Sequence, residues 1–114
     1  MTVSVLTTRA KEESTYIITV AIEDEDGNAV APSTMYWTLT DADGTVINSR
    51  SAVEIAIPES SNDIVLTGDD LAVTESGDAV RELAVWGTYD SDAGVGLSFS
   101  DAIRFVVDQI VGIT

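Results

Sequence analysis

The 114-residue chain has no Cys and no His, and its 20 acidic and 5 basic side chains leave a net charge of −15. Those two absences exclude disulfides, thiolate or imidazole metal sites, and any Ser–His or Cys–His nucleophile. The charge repels nucleic acid and anionic membrane, so neither is an expected partner.

The length fits one domain over residues 1–114. No apolar run approaches the roughly 18 residues of a membrane helix. The start, Met1-Thr2-Val3-Ser4-Val5-Leu6-Thr7-Thr8-Arg9, lacks a basic stretch followed by an apolar one, so no secretory signal is expected. The protein is expected to stay in the cytoplasm where it is made, or to leave by lysis.

Period-2 alternation dominates the chain, with turn residues between the runs. Val3–Thr8 reads as an edge strand. Tyr16, Ile18, Val20 and Ile22 share one face of the next strand, which Asp24-Glu25-Asp26-Gly27-Asn28 ends as a solvated turn. Met35, Trp37 and Leu39 point inward on the following strand, with Tyr36, Thr38 and Thr40 outward. Asp41-Ala42-Asp43-Gly44 is a hairpin signal leading into residues 45–48.

Val53, Ile55 and Ile57 form another alternating set, and Ile64 and Leu66 lie on a short strand after the turn at 58–63. Gly68–Ala72 reads as one helical turn or a loop that drops Leu71 into the core, and 74–79 as a loop. The strongest strand is 81–89, with Leu83, Val85, Gly87 and Tyr89 on one face and Ala84, Trp86 and Thr88 on the other. After the turn at 90–94, Leu97, Phe99, Ile103, Phe105 and Val107 share parity on a long last strand. Asp101 shares that parity too, and a bulge is expected there, because a carboxylate should not enter a core.

This spacing of short strands predicts an all-β fold, an immunoglobulin-like β-sandwich of about seven or eight antiparallel strands. A small antiparallel barrel is the alternative. Trp37, on the third strand, is expected in the core.

Three acidic turns, 24–28, 41–44, and Asp90 with Asp92, lack the spacing of a calcium loop. Asp and Gly at such positions serve the turn itself, so no metal and no cofactor is expected. No catalytic residue is expected either, since a minimal sandwich offers no cleft to oppose two carboxylates. Arg9, Arg50, Arg81 and Arg104 read as partners of nearby acids. The candidate partner-binding residues are Trp86 and Tyr36, outward on neighbouring strands, and Ile110, Val111 and Ile113 in the apolar tail. That tail either finishes the last strand or docks by strand addition.

Three stretches carry a resemblance: Tyr-Ile-Ile-Thr-Val-Ala-Ile-Glu-Asp-Glu-Asp-Gly-Asn-Ala-Val at 16–30, Trp-Thr-Leu-Thr-Asp-Ala-Asp-Gly-Thr-Val-Ile-Asn-Ser-Arg at 37–50, and Gly-Thr-Tyr-Asp-Ser at 87–91. The chain, over roughly residues 16–107, resembles small Ig-like proteins of tailed-bacteriophage structural modules. That resemblance implies a virion structural protein, either a capsid decoration protein or a head–tail or tail accessory protein. It implies other virion proteins as partners, in a symmetric homo- or hetero-oligomeric assembly. The family has no fixed set of functional residues to carry over. The competing expectation is a bacterial cell-surface Ig-like adhesion module. Such modules are ordinarily repeated in long chains, whereas Met1 here lies close to the first strand.

Overall fold

The computed structural model describes residues 3–5, 9–73 and 77–110, the first of these as backbone alone. The chain is all-β: β1 (Val3–Val5), β2 (Ala10–Lys11), β3 (Thr15–Ala21), β4 (Thr34–Asp41), β5 (Val53–Glu54), β6 (Ser61–Thr67), β7 (Ala79–Ser91) and β8 (Gly94–Asp108). Among the described residues, one 3-10 turn, Gly68–Leu71, interrupts them.

A curled mixed sheet has the order β1-β8-β7-β4-β5, with β2 also on β8, and β3 pairs with β6 in a second sheet. Both sheets send alternate side chains into one core. Ile18 and Val20 of β3 and Ile64 and Leu66 of β6 meet Met35, Trp37 and Leu39 of β4, Leu83 and Val85 of β7, and Phe105 and Val107 of β8. Period-2 patterning therefore sets which face β3, β4, β6 and β7 bury, as the alternation predicts, whereas β8 also buries Ala102, at the parity opposite Phe105 and Val107. Leu71 is buried at the end of its 3-10 turn, also as predicted.

Four expectations are corrected. The strands are not uniformly antiparallel, since β1 and β2 both run parallel to β8. Arg9 Nε and Lys11 Nζ clamp β2 there, at 2.5 and 2.7 Å from the Asp108 carboxylate. Strand β5 ends at Glu54, and Ile57 is 82% exposed rather than core-facing. Residues 45–48, after the 41–44 turn, form no strand but only an isolated bridge between Thr40 and Val46. Finally, the β7–β8 register runs unbroken from Ala79↔Val107 to Tyr89↔Leu97, so no bulge occurs at Asp101. Asp101 keeps its parity but is exposed, and its carboxylate accepts the Ala102 N–H at 2.8 Å.

Two acidic turns share one construction. In each, the Oδ1 of the first Asp (Asp24 or Asp41) accepts the N–H groups two and four residues on, at 2.9–3.0 Å. The Gly three residues on sits at φ +81 (Gly27) or φ +91 (Gly44), a left-handed conformation that costs glycine nothing.

Candidate partner-binding face

The outer face of the large sheet is built from three rows fixed by register, Thr34–Thr88–Ser98, Tyr36–Trp86–Ser100 and Thr38–Ala84–Ala102, the last of which ends in a fully buried residue, Ala102. None of these nine side chains is charged. A row with charges, Thr40–Glu82–Arg104, bounds the block on one side, where Arg104 Nε lies 3.3 Å from Glu82 Oε2. Glu54 of β5 stands opposite Tyr36.

At the centre the Tyr36 and Trp86 rings stack across the strands, with centroids 6.0 Å apart and planes 25° from parallel. Both residues are half-buried, so each keeps part of its ring in solvent. Directly opposed aromatic residues stiffen each other, which lowers the entropy lost when a partner covers them. Next to them Thr34 and Thr88 join hydroxyls at 2.9 Å.

Gly87 allows the strands this approach. A Cβ added there would lie 2.0 Å from the Thr34 carbonyl oxygen and 2.9 Å from the Phe99 ring. Docking on the block removes apolar and hydroxyl surface from water without desolvating an ion, which is the cheap kind of burial.

The other predicted site residues are not gathered here. Ile110 lies beyond the end of β8, 39% exposed, with its N–H donating to Glu12 Oε1 at 2.9 Å. Ten residues along an extended chain separate it from Ser100, on the order of 30 Å. Val111 and Ile113 lie outside the described residues.

The carboxylates of Asp24, Glu25 and Asp26 offer oxygens within 4.8 Å of one another. Two of the three already have structural work. Asp24 holds its turn, and the Asn28 N–H foremost keeps it below the usual carboxylate range. Glu25 accepts the Tyr89 hydroxyl at 3.2 Å and the Ser91 hydroxyl at 2.9 Å.

Two buried acids, Glu12 and Asp70, escaped the sequence reading. Asp70 is fully buried, and its carboxylate takes Arg50 Nε at 2.7 Å, Asn48 Nδ2 at 2.9 Å and the Thr67 N–H at 3.1 Å. Burial pushes its pKa up. The hydrogen bonds from Arg50, Asn48 and Thr67, with the Arg50 charge, outweigh burial and hold it below the usual range. The same Arg50 guanidinium lies 6.0 Å from the Trp37 ring centroid, over the core. Asp70 thereby anchors a loop in which Asn48, Ser49 and Ala52 all have φ near +50. The signal in the sequence was Thr67 three residues before an acid, the spacing of a helix cap.

No protein-family model matches the chain, and neither a curated protein nor a solved structure does. Among the described residues, no helix is long and apolar enough to cross a membrane.

Proposed function

We propose that this chain is a non-enzymatic structural protein of a tailed-bacteriophage particle, an immunoglobulin-like module that holds other virion proteins through the outer face of its large sheet. The observation that carries the binding role is the uncharged block centred on the stacked Tyr36–Trp86 pair, in a chain of net charge −15. Trp and Tyr dominate interface energetics where they are surrounded by near-neutral contacts, and the hydroxyl side chains and Ala84 supply that surround here.

The topology supports the immunoglobulin-like assignment. That fold keeps its second and fifth strands in one sheet and its third, sixth and seventh in the other. Here β3 and β6 form one pair, while β4, β7 and β8 lie side by side, with Trp37 buried on β4. The departure is at the start, where β1 and β2 join β8 in parallel. The virion setting comes from the resemblance of residues 16–30, 37–50 and 87–91, and the lack of Cys and His supports a role without catalysis.

Quantitative mass spectrometry of purified particles from the source culture tests this reading. A copy number matching the capsid lattice makes the chain a decoration protein, and a small multiple of the tail symmetry puts it on the head–tail axis. Absence from particles overturns the proposal.

A further inference from the structure

Among the described residues, the small sheet leaves the β6 edge open. Strands β3 and β6 pair from Thr15↔Thr67 to Ala21↔Ser61. Two bonds just beyond that range set the phase of the ladder: the Ile22 N–H donates to the Ser60 carbonyl at 2.8 Å and the Gly68 N–H to the Ser14 carbonyl at 3.1 Å. In an antiparallel ladder, bonded pairs recur at every second position. Asn62, Ile64 and Leu66 therefore turn their backbone groups towards β3, while Ser61, Asp63, Val65 and Thr67 turn theirs away. The Thr67 N–H agrees with this phase, because it points off the sheet and is taken by Asp70 Oδ2 at 3.1 Å. Among the described residues, no backbone group reaches those of Ser61, Asp63 or Val65, and no strand lies beside β6 on that side.

Natural sheets usually cover, shorten or charge such an edge, because unpaired N–H and C=O groups template another strand. Here the edge spans a seven-residue strand with one charge, Asp63, and an exposed Ile17–Val65 cross-strand pair (56% and 51%) beside it. Exposed Glu59 and Asp69 flank its ends.

We propose that the β6 edge is a docking site for an extended basic segment of a partner protein, which adds as a strand to the small sheet. Alternation dictates the partner's pattern. Its residues beside Ser61, Asp63 and Val65 lie on the solvent face and carry Lys or Arg towards Asp63, Glu59 and Asp69. Its intervening residues lie beside buried Asn62 and Ile64 at the rim of the core and are apolar. A second copy is the wrong occupant, since joining two β6 edges brings two chains of −15 together and sets acidic side chains against each other. This surface is separate from the Tyr36–Trp86 face, so either can fail without the other.

The test is an amide-resolved NMR titration of the full chain with an acetylated, amidated peptide that alternates lysine and valine. The amides of Ser61, Asp63 and Val65 are expected to shift and to exchange with solvent at least about tenfold more slowly at saturation. Asp63→Lys, or glutamate in place of the peptide's lysines, should weaken binding about tenfold, and the effect should shrink as salt rises from about 0.05 to about 0.5 M. Methylating the peptide nitrogens that face the edge should abolish the shifts, and Trp86→Ala should leave them unchanged. The proposal is overturned if those three amides do not respond, if the glutamate peptide binds equally well, or if they respond to dilution of the protein alone, which would give the edge to a second copy.

Discussion

Asp70→Asn removes one charge from a site with no exposure while keeping the side chain's shape. Three donors converge on this carboxylate: Arg50, Asn48 and the Thr67 backbone N–H. An amide in the same place offers one acceptor oxygen, so its own NH2 must confront at least one of those donors. Hydrogen bonds to a charged group contribute about 1.5–3 kcal/mol, and breaking a buried ion pair by removing one partner costs about 3–5 kcal/mol. The second figure is an upper bound here, because the Arg50 side chain is 40% exposed and water can solvate it once its partner is gone. The expected loss is about 2–3 kcal/mol, or a Tm lower by roughly 10 °C for a domain of this size.

Urea denaturation followed by tryptophan fluorescence measures this loss directly, since Arg50 lies over Trp37. The deficit also has a predicted pH dependence. A carboxylate held below its ordinary range contributes stability that is complete above its unfolded value, near ~3.9, and lost as pH falls through its lower folded value. Wild type and Asp70→Asn should therefore differ fully at neutral pH and converge as the pH drops well below ~4. A variant as stable as wild type at neutral pH, or a deficit that persists unchanged in strong acid, would refute the reasoning.

Trp37→Ala should cost about 3–5 kcal/mol in urea denaturation, because the ring is a buried part of the core cluster. A loss below about 1 kcal/mol would mean that the ring is not packed as described. Gly87→Ala should cost at least about 2 kcal/mol, because the new Cβ meets the Thr34 carbonyl oxygen at 2.0 Å and backbone must move. Circular dichroism melting of this variant checks the spacing of β4 and β7, and an unchanged Tm would show that it is wrong.

Local alternation made the strand faces legible. Ile18, Val20, Met35, Trp37, Leu39, Leu83 and Val85 all fall inward as their parity requires, and Tyr36 and Trp86 fall outward and side by side. Parity gives a face only where a strand forms. Ile57 has the right parity after Val53 and Ile55 but lies past the end of β5, exposed.

Strand direction leaves no mark in a local pattern, so the parallel seating of β1 and β2 on β8 was out of reach. Asp101 was misread for a related reason. Sharing parity with core residues does not bury a position, and Asp101 stays exposed within an unbroken ladder. Asp70 is the opposite case, a charge that the core accepts because Asn48 and Arg50, some 20 residues earlier, supply its donors. The open edge of β6 was likewise invisible until the sheet order was known.

Trp86→Ala tests the central claim most directly, scored by its incorporation into particles beside its own melting temperature. The ring is half-buried and stacked on Tyr36, so its loss should cost the isolated domain about 1 kcal/mol. Incorporation should fall by more than about tenfold, as expected for truncation of an aromatic anchor at the centre of an interface. Wild-type incorporation by a folded Trp86→Ala chain would contradict the assignment of this face to partner binding.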